Sequence, residues 1–400
     1  QLRFDERDSG TPWAPVVWQA KTRAHVLFSG GHRLAASAFL PLATDDPLFS
    51  RFPLPEKTLV LDLTARGIPT EVSEGGFGLA YVGKDSVAGQ NRMGNYRQEL
   101  FCGDTPLVRV RYPARGYLRT VRSVADENSA ITFGVEDRRV DSWAEVEKAS
   151  LQGYFQFDWA NAEVRVASFD RKSGQLQTVP ALRFGVKDGM RYFFLDVPEE
   201  LREEGQYYLD AARGRLYLIP PKEFGRVPLY LSHTKDALLR FDGASFIRWL
   251  GISFAYARGS GVCIFGGEDV RFEGCRFFCL GYKAAFIGCQ TRPAEHRTDR
   301  VCNGGYRHVL QSCDIRDTAF GGVYVSAGNR ETLQSSGVRV ENCEFERFAR
   351  VGKCYFFAVE LSCVGTIVRN CRFHDAPHSA IWFDGNDNII EYNEFYDLLG

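Results

Sequence analysis

The chain of 400 residues has little net charge, only two methionines and no long apolar segment. Its 49 lysine and arginine residues nearly balance its 50 aspartate and glutamate residues, so the formal net charge is −1. A balanced charge argues against nucleic acid or an anionic membrane as the main partner, because both favour a basic face. No apolar run approaches the length of a membrane span, and residues 1–8 are charged, unlike a signal peptide.

The Cys-x-x-Cys spacing of a zinc ribbon is also absent, although the chain contains 11 cysteines. The closest pair is Cys275 and Cys279, with three residues between them. We therefore expect no zinc site. What the chain has in abundance is 39 glycines, 31 phenylalanines and 17 tyrosines, a composition that favours β-strands and many turns.

A short sequence pattern recurs from about residue 245 onward. Each copy has a small, amide or aromatic residue, then Cys or Asn, then a charged residue, then Phe or Ile. The clearest copies are 274–277, 312–315, 342–345, 370–373 and 392–395. Their base spacing is about 22 residues, with longer excursions, and a second apolar run follows most copies. Short strands separated by turns at this period predict a parallel β-helix.

Equivalent residues in successive coils of a β-helix stack in columns about 4.8 Å apart. One predicted column contains Cys275, Cys313, Cys343, Cys371 and Asn393. We interpret its cysteines as free thiols packed at a tight corner, and its asparagine as bonded to the backbone of the next coil. The Phe and Ile positions of the repeat form a second column, which we expect in the core.

Residues 41–225 interrupt this repeat with longer alternating strands and an aromatic stretch at 154–159. We therefore expect an early β-helix coil or coils in residues 1–40, an inserted β-sandwich-like module in 41–225, and the main β-helix in 226–400. The expected fold class is all-β.

Several stretches resemble right-handed parallel β-helix proteins of the pectate-lyase-like superfamily, and within it the carbohydrate-active group around glycoside hydrolase family 141. The resemblance covers most of the chain in outline. The stretches that carry it are 8–17 (DSGTPWAPVV), 27–31 (LFSGG), 204–210 (EGQYYLD), 374–381 (HDAPHSAI) and 385–394 (GNDNIIEYNE).

This resemblance implies a glycoside hydrolase that acts on plant or algal polysaccharides, in an extracellular or periplasmic location. It also implies a segment before the Asp-Ser-Gly-Thr stretch and further coils after Gly400, including an Asp-Ala-Gly-Ala motif that looks catalytic. We therefore expect the chain to be an interior piece of a longer protein. Two positions depart from the family pattern: Asn388 stands where the pattern has His, and Asp384 where it has a small residue. Either departure would alter the substrate or the chemistry.

The predicted columns also suggest a pair of carboxylates. Aligning the coils places Asp384 level with Ser326 and Ser362, and Glu360 level with Tyr324 and Trp382. Asp384 and Glu360 thus belong to adjacent coils, two positions apart on one strand face. Two carboxyl groups that flank the scissile bond are what glycoside hydrolysis needs. We expect Asp384 and Glu360 to be catalytic.

Other residues near this pair are candidates for sugar contacts or proton transfer. His378 is the third candidate catalytic residue, since an imidazole can move a proton or polarise a carboxylate. Aromatic rings can serve as platforms for sugars, and Asp387 is also interpreted as shaping a turn. The candidate substrate-binding residues are His374, Asp375, Trp382, Tyr355, Arg330 and Asp387.

Two alternatives remain open. A polysaccharide lyase of the same fold would use Lys353 or His378 as the base, and Ca²⁺ held by Asp375, Asp384 and Asp387. A non-catalytic carbohydrate-binding β-helix would have no pair of carboxylates facing one cleft. The hydrolase needs no cofactor and no metal ion. In all three cases the expected partner is an oligo- or polysaccharide.

Overall fold

The computed structural model describes residues 1–22, 24–71, 76–78, 97–124, 132–179, 182, 184–288 and 304–399. These residues form 39 strands and eight short 3-10 helices, and none of them lies in an α-helix. No helix in these ranges is long and apolar enough to cross a membrane. The described residues divide into two compact units, one of residues 1–32 with 232–399 and one of residues 33–231.

The first unit is a stack of coils, each of which contributes one strand to each of three sheets. Sheet A contains, in hydrogen-bonded order, β1 (Leu2–Asp5), β22 (Leu239–Asp242), β25 (Val262–Phe265), β28 (Ala285–Ile287), β31 (Val323–Val325), β34 (Val359–Val364) and β37 (Ile381–Asn386). Sheet B contains β2 (Val16–Gln19), β23 (Ile247–Leu250), β26 (Val270–Glu273), β29 (Val309–Gln311), β32 (Arg339–Glu341), β35 (Ile367–Arg369) and β38 (Ile389–Glu391). Sheet C contains β3 (Leu27–Ser29), β24 (Ser253–Ala255), β27 (Arg276–Phe278), β30 (Asp314–Arg316), β33 (Glu344–Glu346), β36 (Arg372–Ala376) and β39 (Glu394–Leu398).

Neighbouring strands pair in parallel throughout these three sheets, which confirms the predicted parallel β-helix. The coil formed by β1, β2 and β3 pairs directly with β22, β23 and β24. This unit also contains one 3-10 helix, Glu6–Asp8. The early coil ends at His32, before the predicted boundary at residue 40, because β4 (Gly31–Leu34) already pairs in a sheet of the inserted module.

The interior of the β-helix is a set of apolar columns. Phe254, Phe277, Ile315, Phe345 and Phe373 are fully buried at equivalent positions of sheet C. The rings at 345 and 373 are stacked with their centroids 4.9 Å apart. The Phe and Ile column is therefore core, as expected, and each fully buried side chain of this kind contributes about 2–3 kcal/mol relative to an exposed one.

The predicted cysteine column lies at the corner between sheets B and C, and its four thiols are buried and free. Each thiol donates a hydrogen bond to a main-chain carbonyl of the preceding coil, for example from Cys275 to Trp249 at 3.3 Å and from Cys313 to Phe272 at 3.4 Å. Asn393 continues the column by donating to the carbonyl of Val368 and accepting from the amide of Cys371. Burial raises the pKa of Cys275 to about 11, so this thiol stays protonated. Five further cysteines are also buried and free: Cys102, Cys263, Cys279, Cys354 and Cys363. The last two, Cys289 and Cys302, lie outside the described residues.

The residue before each corner cysteine has a left-handed backbone. Gly274, Ser312, Asn342 and Asn370 have φ values between 52° and 60°. Glycine and asparagine tolerate this region, whereas residues branched at Cβ clash with the backbone there. The turn therefore favours the small and amide residues of the repeat, although Tyr392 adopts the same conformation, with φ 55°, before Asn393.

The inserted module contains three sheets. Sheet D contains β4, β21 (Leu229–Ser232), β8 (Leu100–Cys102) and β9 (Thr105–Pro106). Sheet E contains β10 (Val108–Arg109), β19 (Gln206–Asp210), β20 (Arg215–Leu218), β6 (Leu59–Asp62) and β5 (Leu40–Pro41). Sheet F contains β11 (Arg111–Tyr112), β18 (Arg191–Leu195), β15 (Ser150–Tyr154), β16 (Asn161–Asp170), β17 (Gln175–Val179), β14 (Thr132–Gly134) and β13 (Val121–Val124), with β12 (Leu118–Arg119) beside β18 and β7 (Phe77–Gly78) beside β16. Its 3-10 helices are Ala36–Ala38, Phe49–Arg51, Pro55–Lys57, Thr64–Arg66, Arg138–Ser142, Val146–Lys148 and Pro198–Glu200.

Sheets D and E share one core. Leu100 and Leu231 of sheet D pack in the same cluster as Leu61 and Leu216 of sheet E, which makes this pair of sheets sandwich-like. Sheet F has its own core around Trp143 and Phe194. The module was predicted over residues 41–225; it extends further at both ends because β4 and β21 are neighbours in sheet D.

The left-handed corner makes a direct prediction about stability. We expect Asn342→Val to lower the free energy of unfolding by about 1–2 kcal/mol, because a β-branched residue is strained at φ 54°. Asn342→Gly is the matched control and should change it by less than about 1 kcal/mol. Asn342 is exposed, so neither change removes a packed side chain. Equal effects of the two variants in denaturant unfolding would contradict this account of the corner.

Candidate functional site

The outer face of sheet A carries the predicted pair of carboxylates. Glu360 lies level with Tyr324 on one side and Trp382 on the other, and Asp384 is level with Ser362. Val359 and Leu361 are fully buried in the interior, so the alternation of the strand turns Glu360 to the outer face. The register is the predicted one, and it places the two carboxylates on adjacent strands.

Asp384 forms the more open half of the pair. Its side chain is 44% exposed, and both carboxylate oxygens accept hydrogen bonds from the Arg330 guanidinium, at 3.3 and 3.4 Å. The amide of Gly385 donates a third bond to the same carboxylate at 2.8 Å. Arg330 belongs to the segment that follows β31. The structure therefore brings together two residues that were predicted separately, one as catalytic and one as substrate-binding.

Glu360 occupies a very different environment. Its carboxylate lies 3.3 Å from the ammonium group of Lys283, and the two side chains are only 4% and 2% exposed. Burying two charges costs several kcal/mol per ion, so the presence of such a pair is weak evidence that it stabilises the fold. The two residues are instead candidates for a functional role.

Lys283 is a residue that the sequence analysis missed. It lies in the segment before β28, two coils from Glu360. A signal was present, because Lys283 is the sole charged residue of the stretch Phe277–Gly288. A charge isolated among small and apolar residues beside a buried strand must have a buried partner.

The bare backbone of Gly321 leaves room for this contact. A Cβ atom at position 321 would lie 2.9 Å from the Lys283 ammonium nitrogen and 2.4 Å from the carbonyl oxygen of Phe357. The φ of Gly321 is +95°, which also disfavours any residue with a side chain. Glycine is required here so that the lysine can pass across the intervening coil.

An aromatic cluster borders Glu360 at the start of β37. Phe357 lies at its centre, with its ring centroid 5.7 Å from that of His378 and 6.4 Å from that of Trp382. Tyr355 is 43% exposed and its ring lies 5.1 Å from the His378 ring. Burial lowers the pKa of His378, which favours the neutral imidazole. Three predicted site residues, Tyr355, His378 and Trp382, are thus close together.

His374 and Asp375 belong to a different part of the surface, on sheet C. The His374 ring is bonded to Asp375 at 2.8 Å and to Glu344 at 3.3 Å, and it stacks on Tyr396 with a centroid distance of 4.5 Å. His374, Asp375 and Glu346 form the group of potential metal ligands found in the described part of the chain. Asp384 and Asp387 are not in this group, so the three aspartates of the lyase alternative do not share one ion site there.

The turn between β37 and β38 explains two other residues. Asp387 has a left-handed φ of 56°, in line with its interpretation as a turn residue. The Asn388 side chain accepts from the amide of Thr366 at 3.0 Å and from the thiol of Cys363 at 3.3 Å, and it donates to the carbonyl of Cys363. Asn388 therefore ties this turn to the preceding coil. Lys353 also has a left-handed φ, 56°, in the turn segment after Phe348.

Comparison with known proteins agrees with this architecture. A family profile described as "Right handed beta helix region" matches residues 239–395. The solenoid is a right-handed parallel β-helix. No curated protein sequence matches the chain.

Among solved structures, one titled "Glycoside hydrolase" superposes with a TM-score of 0.68 at 14% identity, over 95% of this chain and 69% of that one. "The complex structure of XylC with xylose" gives a TM-score of 0.39 at 8% identity, over 96% and 53%. The Gp54 tailspike of Acinetobacter baumannii bacteriophage AP22, in complex with a capsular saccharide, gives 0.19 at 9% identity, over 72% and 55%. The first of these shows that the fold is shared over nearly the whole chain.

The buried ion pair of the β-helix can be tested by a double-mutant cycle. We expect Lys283→Met to lower the free energy of unfolding by about 3–5 kcal/mol, because it leaves Glu360 buried without this cation. The double variant Lys283→Met/Glu360→Met should be less destabilised than Lys283→Met alone.

The matched control is Arg369→Met, which breaks an exposed pair with Glu391 in the same unit and should cost no more than about 1 kcal/mol. Additive losses in the Lys283 and Glu360 variants would show that the two charges do not interact.

Proposed function

We propose that this chain is a glycoside hydrolase that cleaves O-glycosidic bonds in plant or algal polysaccharides, with Asp384 and Glu360 as the reacting carboxyl groups. The observation that carries the proposal is their register on the outer face of sheet A. They lie on adjacent parallel strands, offset by two residues along the strand. With strands about 4.8 Å apart and a rise of about 3.3 Å per residue, their Cα atoms are about 8 Å apart.

Two carboxyl groups at this register can flank one glycosidic bond, and the distance between the carboxyl groups, not between the Cα atoms, sets the mechanism. Inverting glycosidases hold their carboxyl groups about 6.5–9.5 Å apart, which leaves room for the attacking water molecule. In such a reaction one group donates a proton to the glycosidic oxygen and the other removes a proton from water. Because the two side chains can rotate, the distance between their carboxyl groups can be shorter or longer than the Cα spacing.

The two carboxylates lie in different surroundings, so their roles before the reaction differ. Asp384 is open to solvent, so a sugar meets it first, and Arg330 beside it can donate hydrogen bonds to sugar hydroxyls. Glu360 is buried against Lys283. It can reach a glycosidic oxygen only if its carboxylate turns away from Lys283 toward Asp384, which makes Lys283 a positioning residue for Glu360.

The aromatic cluster supports a sugar site next to this pair. Tyr355 presents an exposed ring, and Trp382 lies level with Glu360 on the neighbouring strand. A pyranose ring can stack on such a face through its C–H groups. We propose Tyr355, Trp382 and His378 as sugar contacts at this site. The proposed extracellular or periplasmic location follows from the proposed substrate.

The proposal predicts that Asp384→Asn lowers hydrolysis at least 100-fold without changing the melting temperature, because an amide cannot transfer the proton. Asp242→Asn is the matched control: Asp242 occupies the equivalent position of β22, is 42% exposed and is likewise paired with an arginine. It should retain wild-type turnover. Release of reducing ends from a panel of plant and algal polysaccharides is the measurement.

Two results would contradict this function. Equal activity of the Asp384→Asn and Asp242→Asn variants would place the chemistry elsewhere. Products that absorb in the near ultraviolet, formed only without a chelator, would indicate a lyase, because elimination leaves a new double bond in the sugar.

A further inference from the structure

The inserted module has a sheet face that is not part of its core. In β18 and β15, Tyr192, Phe194 and Leu151 point into the core of sheet F. Because side chains alternate along a strand, Arg191 and Tyr154 point to the opposite face. β12 lies on the other side of β18, with Arg119 opposite Arg191. Tyr117 shares this outer face, since it is two residues from Arg119.

Aromatic rings and guanidinium groups alternate across this face. The Arg191 guanidinium lies 5.4 Å from the Tyr117 ring centroid and 4.7 Å from that of Tyr154, so it has one ring on each neighbouring strand. Arg111 lies 3.7 Å from the Phe193 ring and 5.9 Å from the Tyr117 ring. Such cation–π contacts hold the rings and charges in fixed positions.

Exposed aromatic rings of the module lie on this face and in the turn next to it, where Phe157 and Trp159 also pack against Phe184 at the edge of the sheet F core. Among its described residues, the aromatic side chains that are more than 36% exposed are Tyr117, Phe157 and Trp159, at 43%, 37% and 42%. Phe157 and Trp159 are stacked 5.0 Å apart in the turn after β15. Asp158 between them bonds to Arg191 at 2.9 Å, which joins this turn to the sheet face.

The face is also positively charged. Arg111 donates to the main-chain carbonyls of Pro113 and Gly116, and Arg119 donates to that of Gly189. Among the residues that the structure describes, neither of these arginines forms a salt bridge with a carboxylate. Asp158 is the acidic partner of Arg191. The face thus combines exposed rings with the guanidinium groups of Arg111 and Arg119, which no carboxylate of the described residues neutralises, and with Arg191, which is paired with Asp158.

We propose that this face, formed by Arg111, Tyr117, Arg119, Tyr154 and Arg191, together with Trp159 in the adjoining turn, binds a glycan that carries uronic acid groups. The C–H bonds of a pyranose ring complement the negative faces of Tyr117 and Trp159. A planar uronate carboxylate matches the paired N–H groups of a guanidinium. This site involves neither Asp384 nor Glu360, so it goes beyond the proposed hydrolysis and stands without it.

Isothermal titration of the full chain tests this proposal. The probes are a xylo-oligosaccharide that carries one glucuronic acid branch and the unbranched oligosaccharide of the same length. We expect the acidic probe to bind at least 10-fold more tightly in low salt, with a preference that falls as salt is added. The titrations use the Asp384→Asn variant, so that the probes are not hydrolysed during the measurement. In parallel, the product of hydrolysis is titrated into wild-type protein.

Variants then locate the site. Tyr117→Ala and Trp159→Ala should weaken both probes at least 10-fold, whereas Arg119→Gln should remove only the preference for the acidic probe. Matched controls are Val124→Ala, an exposed apolar residue of β13, and Arg138→Gln, which removes one exposed arginine of the same unit. Both controls should bind like the parent chain.

Three results would overturn the proposal. The first is equal affinity for the two probes in the parent chain. The second is unchanged affinity in the Tyr117, Trp159 and Arg119 variants. The third is tighter binding of a sulfated oligosaccharide or of single-stranded oligothymidylate, which would assign the face to a different ligand. Activity on a short soluble substrate is measured separately, so loss of hydrolysis and loss of this binding are distinguishable.

Discussion

Parallel hydrogen bonding between successive coils is the constraint on which the β-helix depends. Each strand of sheets A, B and C bonds to the equivalent strand of the next coil, at about 4.8 Å. This pairing stacks equivalent positions above one another. Each residue of a coil must therefore be compatible with its neighbours in the same column. Interior columns must be apolar, and the corner column must satisfy the backbone of the preceding coil, as the thiols and Asn393 do.

The same constraint leaves the outer face of each sheet free to vary. On sheet A the column that contains Glu360 also contains Tyr324, Phe286, Cys263 and Arg240, residues with no common chemistry. The scaffold therefore fixes where a side chain stands without fixing which side chain it is. A carboxylate, a ring or a guanidinium placed there inherits a defined spacing from its neighbours, which is what a reaction between two groups requires.

Features that depend on the repeat could be predicted from the sequence. The register of Glu360 with Trp382 follows from aligning the short strands of successive coils by their shared corner residues and by the alternation of their side chains. The structure has that register. The tight corner at Asn342 and Cys343 follows from the same alignment, whereas its left-handed φ was seen only in the structure. The extension of the inserted module beyond residues 41–225 could not be derived this way, because β4 and β21 have no counterpart in the repeat.

Contacts between loops could not be predicted from the sequence, for a physical reason. Lys283 reaches Glu360 across two coils, and this depends on the path of the segment between sheets C and A and on the missing side chain of Gly321. His374 and Asp375 are close to His378 in sequence, yet the His374 ring lies against Glu344 and Tyr396 on sheet C, and Asp375 is hydrogen-bonded to that ring. Neighbours along the chain separate wherever a corner intervenes, so proximity in sequence did not mean one site.

The central claim is that a sugar chain lies across the outer face of sheet A at β34 and β37. A crystal structure of the Asp384→Asn variant soaked with an oligosaccharide substrate tests it most directly. We expect a glycosidic oxygen between the position 384 side chain and Glu360, with the Glu360 carboxylate turned away from Lys283 and a pyranose ring against Tyr355 or Trp382. An oligosaccharide bound over His374 and Glu344 on sheet C, with the Lys283 and Glu360 pair undisturbed, would contradict the account.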